Sequence, residues 1–234
     1  MKRNLWIVLA TLAIGLPSAS AGIITGVTTF GSEDGTGPGM GSVTVVVFPA
    51  LNPNNNNQDG TTPLLDNNID VPIKRFDAVG YIDIEFLVTP SGGTSEYLFI
   101  ESIDNNTGVL WSGYTMQLGF GTGAGFTPST AGDFLDFDAP LFDPAPTSAA
   151  FPVWIAPNED LLVFSGGTHG SGQQVYRIRI DVPDDILPGD PLTTFTLRQT
   201  PVPEPGALGL AGVAIVGLLI RRRFSYYEEH GRSQ

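Results

Sequence analysis

An all-β fold, an antiparallel β-sandwich of about eight to ten strands, follows from three features of the sequence. Apolar residues alternate with polar ones over short stretches, turn residues separate those stretches, and no stretch between the two ends carries a 3.6-residue period. One-sided alternation of this kind belongs to antiparallel sheets with one wet face. Residues 23–30 open the series, and the β-branched run Val43-Thr44-Val45-Val46-Val47-Phe48 follows. Residues 52–70, with Asn54-Asn55-Asn56-Asn57 among them, read as a long polar loop, disordered in part. In residues 81–88, Ile82, Ile84, Phe86 and Val88 share one face, with Asp83 and Glu85 on the other. Residues 97–103 and 110–120 flank Asn105-Asn106-Thr107-Gly108, a hairpin-turn signal because Asn and Gly tolerate positive φ. Along 110–120, Tyr114, Met116, Leu118 and Phe120 fall together, and the same phase puts Trp111 on the opposite, less apolar face. Strands are also expected at 153–155, 161–164 and 193–197. The clearest alternation is in 175–182: Tyr176, Ile178, Ile180 and Val182 face in, while Arg177, Arg179 and Asp181 face out.

Composition narrows the function classes. The 234 residues include 29 Gly and 19 Pro, and only 15% are charged, which suits a turn-rich globular domain better than highly charged disorder. The absence of cysteine excludes a disulfide scaffold, a thiolate nucleophile and thiolate-ligated metal. The formal charge is −13 and the pI about 4.3, a surface that repels phosphate backbones and argues against a nucleic-acid partner. Residues 22–200 hold five basic residues (Lys74, Arg75, Arg177, Arg179 and Arg198) against twenty-one acidic ones, so the central domain is more acidic than the whole.

The two ends read as addresses. Met1-Lys2-Arg3-Asn4 is a positive n-region, residues 5–16 are apolar, and Ala19-Ser20-Ala21 has the small-x-small form of a signal peptidase site. Residues 1–21 are therefore expected to be a cleaved signal peptide, with Ala19 and Ala21 marking the cut; the apolar run is too short for a span, which needs roughly 20 residues. At the other end, Val202-Pro203-Glu204-Pro205 precedes the uninterrupted apolar run 206–220, and Arg221, Arg222 and Arg223 stop it. That run makes about 22 Å of helix, which arginine snorkelling extends towards a hydrocarbon core of about 30 Å. A single transmembrane helix with its arginines on the cytoplasmic side is expected, with the basic tail 221–234 inside and the domain 22–200 outside.

The order of this tail resembles the PEP-CTERM sorting signal of Gram-negative bacteria. Residues 201–234 form this sorting segment; the resemblance rests on Val202 to Pro205, the short apolar run and Arg221 to Arg223, and the chain runs on through 224–234 beyond the family's usual ending. It implies recognition of the Pro-Glu-Pro motif by exosortase, an integral-membrane cysteine transpeptidase. It also implies export through the inner membrane, transient anchoring by the helix, and delivery to the cell surface or the extracellular space. Association with exopolysaccharide or biofilm matrix is a further implication. Residues 101–108, Trp111-Ser112-Gly113-Tyr114, Leu118-Gly119-Phe120-Gly121-Thr122-Gly123 and Asp136-Phe137-Asp138 resemble extracellular domains of the choice-of-anchor type, found before such tails.

The chemistry of the central domain is sparse. Gly119-Phe120-Gly121-Thr122-Gly123-Ala124-Gly125 lacks the lysine and the following helix of a phosphate loop and reads as a flexible connection. His169, in the glycine-rich stretch 165–172, reads as a solvated loop residue without a nucleophile partner. Asp133, Asp136, Asp138 and Asp143 form an oxygen-rich cluster, a candidate calcium site whose spacing is not that of an EF-hand. Trp111 and Trp154 are the candidate glycan-binding aromatics. The expectation is a non-enzymatic surface or matrix protein with no catalytic residues and no cofactor beyond calcium. Signal peptidase, exosortase and extracellular polysaccharide are its partners. The alternatives are a carbohydrate-binding module, calcium-dependent in one form, and a hydrolase using two of the carboxylates.

The cleavage pattern makes a direct prediction. The exported protein starts at Gly22, which Edman or mass-spectrometric sequencing will read; an intact 1–21 segment would refute the assignment.

Overall fold

The computed structural model describes residues 22–56, 67–187 and 189–206. The expected signal peptide 1–21, all but the first residue of the 206–220 run, and Arg221, Arg222 and Arg223 lie outside the described residues. Among those described, no helix is long and apolar enough to cross a membrane.

The described chain is all-β. Its strands are β1 (Gly22–Val27), β2 (Met40–Val47), β3 (Asn67–Phe76), β4 (Ile82–Pro90), β5 (Thr94–Asn105), β6 (Trp111–Phe120) and β7 (Thr127–Pro128). Then come β8 (Thr147–Ser148), β9 (Val153–Asn158), β10 (Leu161–Ser165), β11 (Gly172–Pro183), β12 (Asp185–Leu187), β13 (Asp190–Pro191) and β14 (Thr194–Pro203). One sheet has the order β1-β4-β14-β6-β10-β9, with β7 paired to the end of β6. The second runs β2-β3-β5-β11-β8, and β12 and β13 form a small ribbon. The inner faces of the two main sheets meet through aromatic rings. Phe86 of β4 lies edge-on to Phe99 of β5 at 5.3 Å, Phe76 of β3 to Trp111 of β6 at 5.2 Å, and Tyr114 of β6 tilts against Tyr176 of β11 at 5.2 Å. The hydroxyl of Tyr97 crosses from β5 to accept a hydrogen bond from the Ile24 amide of β1 at 2.9 Å. At the start of β1 the chains approach closely: a Cβ on Gly22 would lie 2.5 Å from the Pro183 carbonyl oxygen, so no larger residue fits there.

The inward residues of 81–88 and 175–182 are buried as alternation requires: Ile82, Ile84, Phe86, Val88, Tyr176, Ile178, Ile180 and Val182. Four expectations need correction. Residues 67–70 of the supposed polar loop begin β3, which pairs in parallel with β5 although the other ladders are antiparallel. The Asn105 to Gly108 segment does turn, with Gly108 at φ 72°, but β5 and β6 belong to different sheets. It is an arch between layers, held by Asn105 Nδ2 donating to the carbonyls of Val109 and His169 at 2.9 Å each, and no hairpin forms. Trp111 is fully buried. The register between β14 and β6 slips between Val202 and Pro203, leaving Ser112 as an extra residue, and this bulge turns Trp111 to the face of Tyr114, on which it stacks at 5.9 Å. Arg179 and Asp181 do leave the core face, but they are buried rather than wet, because residues around Asp136 add a bridge along the far side of β11.

A second bulge places a charge in the core. Against β5, residues 72 and 73 of β3 oppose the single residue Ser102, between the pairs Val71–Glu101 and Lys74–Ile103. The phase of β3 flips there: Ile69 and Val71 are buried before the bulge, Lys74 and Phe76 after it. Lys74 Nζ meets Glu101 Oε1 at 2.6 Å, with both side chains fully buried. Gln199 Nε2 of β14 donates to both Glu101 oxygens at 2.9 and 2.8 Å, and Tyr114 OH of β6 donates to Gln199 Oε1 at 2.6 Å. Burial pulls the Lys74 ammonium below the ordinary lysine range, with Glu101 acting in the opposite direction.

Removing one partner of such a pair leaves an uncompensated buried charge. Lys74→Met is expected to destabilise the domain by about 3–5 kcal/mol, and Lys74→Met combined with Glu101→Gln by less than the sum of the single losses. Urea unfolding of the two single variants and the double variant tests the coupling; strictly additive losses would refute it.

Candidate functional site

Two places in the described chain carry features beyond packing. The first is the junction of the domain with its tail. Strand β14 does not stop before the Val202-Pro203-Glu204-Pro205 motif but runs into it: Val202 pairs with Gly113 and Pro203 with Trp111. The Glu204 amide then donates to the Leu110 carbonyl at 2.9 Å, extending the hydrogen bonding one residue past the strand. The Val202 side chain is exposed, as is Pro205, while Pro203 and Glu204 are half-buried. Proline at 203 and 205 supplies no amide donor, so within the motif only Val202 and Glu204 carry one, and the Glu204 amide is engaged by Leu110.

The second is an acidic group on the outer face of β5 and β11. Asp181 of β11 stands directly opposite Glu96 of β5, and on its other side its backbone bridges that of Asp136. Like charges directly opposite one another on neighbouring strands repel. Leu135 and Phe137 are buried and anchor this segment, while Asp136 and Asp138, two residues apart, are half-buried. Carboxylate oxygens of Glu96, Asp138 and Asp181 lie within 4.8 Å of one another. Arg179 Nη1 donates to Glu96 Oε1 at 2.7 Å. Burial, reinforced by neighbouring carboxylates, pushes Asp181 up to about 8 and Asp136 up to about 7. Asp138 is raised by burial too, with Arg179 pulling the other way. Such a group of oxygens holds a proton or a hard cation.

The structure redistributes the expected site residues. Of the four aspartates proposed from sequence, Asp138 alone joins this convergence. Asp133 is occupied with its own loop, accepting from Ser129 Oγ at 2.8 Å and from the amides of Thr130 and Leu135. Asp136 Oδ1 accepts from the Ala139 amide at 2.7 Å, and Asp143 gives its amide to Asp138 Oδ2 at 2.7 Å. Glu96 and Asp181 were missed because pairing across β5 and β11 depends on a register that one strand's alternation does not reveal. The two tryptophans form no platform: Trp111 lies in the core, and Trp154, half-buried on β9, leans on Phe142 with ring centres 5.2 Å apart.

The glycine-rich connection serves an internal charge. The Gly123 amide donates to Asp83 Oδ2 at 2.8 Å, and Asp83 receives Arg198 Nε and Nη2 at 2.7 and 2.8 Å. The Arg198 guanidinium is sandwiched between the rings of Tyr81 and Phe126, 4.0 and 3.9 Å from their centres. His169 is not solvated: it is buried, its Nδ1 lies 3.2 Å from Tyr176 OH and its Nε2 3.0 Å from the Gly172 carbonyl. Its ring meets Trp111 edge-on at 4.7 Å. Neutral imidazole, accepting from Tyr176 and donating to Gly172, fits both contacts.

Residues 201–223 match the family model of the PEP-CTERM protein-sorting motif. No curated protein and no solved structure matches the chain. The tail is thus a PEP-CTERM sorting signal. It implies export and processing by an exosortase-type enzyme.

Burial lowers the His169 pKa below the usual 6.5, so the folded state holds the ring neutral while the unfolded chain takes up a proton as the pH falls. The contribution of His169 to stability is therefore present above pH 6.5 and lost on acidification below it. The gap in urea midpoint between the parent and His169→Gln is expected to narrow from pH 7.5 to pH 5; a gap independent of pH would refute this.

Proposed function

We propose that the chain is a non-enzymatic surface or matrix protein, exported, held briefly at the inner membrane and transferred by an exosortase to the exterior, where it associates with extracellular polysaccharide. The carrying observation is the sorting-motif match over residues 201–223, joined directly to an all-β domain. The acidic surface and the absence of cysteine are compatible with an extracellular matrix role. For the non-enzymatic part of the reading, polar groups of the kinds that catalytic sets use serve the fold here: His169 braces Trp111 and Tyr176, and the glycine loop caps Asp83. The carbohydrate-binding alternative is weakened by the burial of Trp111.

The junction sharpens the test. Because β14 includes Val202 and Pro203, a chain ending at Pro205 is expected to be released soluble with full stability. A chain ending at Pro201 loses two residue pairs with β6 and the Glu204–Leu110 hydrogen bond, and should unfold at lower urea. Replacing Pro203-Glu204-Pro205 in the full chain is expected to leave an unprocessed membrane form. Cell fractionation with immunoblotting follows all three. If the triplet variant matures and localises like the parent, the sorting-signal reading fails and the apolar run is only an anchor.

A further inference from the structure

We propose that Glu96, Asp138 and Asp181 bind a calcium ion on the outer face of β5 and β11. Three separate segments bring their carboxylate oxygens within 4.8 Å of one another. Convergence of acidic groups would not be enough alone, but Asp181 adds an independent signal. Its Oδ1 is buried without a hydrogen-bond partner, and the residue is only 8% exposed. A buried carboxylate oxygen left unpaired carries the full cost of losing water, which a cation beside it removes.

The charge balance points the same way. Among the described residues, Glu96, Asp136, Asp138 and Asp181 gather around the cation Arg179, whose guanidinium is engaged with Glu96 Oε1 at 2.7 Å. The three candidate ligands are oxygen donors only, and hard oxygens select Ca²⁺ or Mg²⁺ over softer metals. Calcium suits the arrangement better. Two ligands are fixed across a sheet and the third comes from a loop, an irregular set that the variable coordination of calcium accepts and the strict octahedron of magnesium does not. If the chain is exported as proposed above, it meets calcium outside the cell, where modules of this kind bind on the order of 0.1–1 mM.

Calcium binding is measured on the full chain, purified in detergent and stripped with EDTA, by equilibrium dialysis against radioactive calcium and by calorimetry. One saturable ion per chain is expected, with an excess of magnesium failing to displace it. Asp181→Asn and Asp138→Asn should each weaken binding by at least about tenfold. Asp133→Asn, whose oxygens serve the Ser129 loop, should bind like the parent and controls for diffuse attraction to an acidic surface. Circular dichroism establishes that each variant is folded. Should Asp181→Asn not fold, the half-buried Asp138 decides. The proposal is overturned if the parent shows no saturable site, or if a folded Asp138→Asn variant binds calcium as tightly as the parent. Binding is read on purified protein, so it does not depend on whether exosortase processing occurs.

Discussion

The buried contact between Lys74 and Glu101 sets conditions that the rest of the core meets. An ammonium taken out of water costs several kcal/mol unless a carboxylate faces it, and that carboxylate must in turn fill its remaining lone pairs. Glu101 does so with Gln199, and Gln199 with Tyr114. The four residues come from β3, β5, β14 and β6, two strands from each sheet. Satisfying the chain of contacts therefore fixes how one sheet lies on the other as well as which strands are neighbours. A slip of one residue in β3 would turn Lys74 towards solvent and drive Ile73 or Arg75 against Glu101. Apolar side chains could fill the same space at similar or greater stability, but they would not distinguish one register from the next.

The same economy recurs at the edges. Asp83, buried in β4, is met by Arg198 from β14, by an amide from the glycine loop and, through Arg198, by two aromatic faces. Asn105 closes the arch between sheets with its own amide group, and His169 joins Tyr176 to Gly172 behind Trp111. Each of these groups is enclosed and partnered. Asp181 Oδ1 differs from these groups: like Asp160 Oδ1 and Thr196 Oγ1, it is buried without a hydrogen-bond partner among the described residues, and it alone of these lies where three carboxylates converge.

Much of the fold was legible because a strand with one wet face writes its exposure into every second residue. The sequences of residues 82–88 and 175–182 alternate without interruption, and their inward faces are as read, although Asp83, Arg179 and Asp181 on the opposite faces are buried too. Legibility failed where the period of two was broken or the wet face was covered. The bulges at residues 72–73 and at Ser112 each insert one residue, which flips the phase beyond them; that carries Lys74 and Trp111 into the core against the reading of their neighbours. The burial of Arg179 and Asp181 comes from residues some 40 positions earlier in the chain, a tertiary event with no trace in the local pattern. The acidic group was half visible for the same reason. Asp138 is in a segment whose composition is conspicuous, whereas Glu96 and Asp181 come from two ordinary strands and meet only through their register. The sorting motif was readable because its information is linear, a matter of residue order along one segment.

The registers also give the domain a direction. Gly22 pairs with Pro90 at one end of β4, while β14 passes the other end of β4, pairing Gln199 with Ile82, before it reaches the motif. The domain's first residue and the motif are therefore at opposite ends of one sheet. Trp111, His169 and the Asn105 arch cluster at the motif end. The acidic group lies at the other, since Asp181 and Glu96 are two residues from the Pro183–Thr94 pair, and Pro183 is packed on Gly22. No spacer separates β14 from Pro203, so an enzyme working at the membrane surface must approach the motif at the rim of the folded domain. The two-residue pairing of Val202 and Pro203 with β6, the Ser112 hydroxyl at their carbonyls and the bond from the Glu204 amide would have to open for an extended segment to be offered.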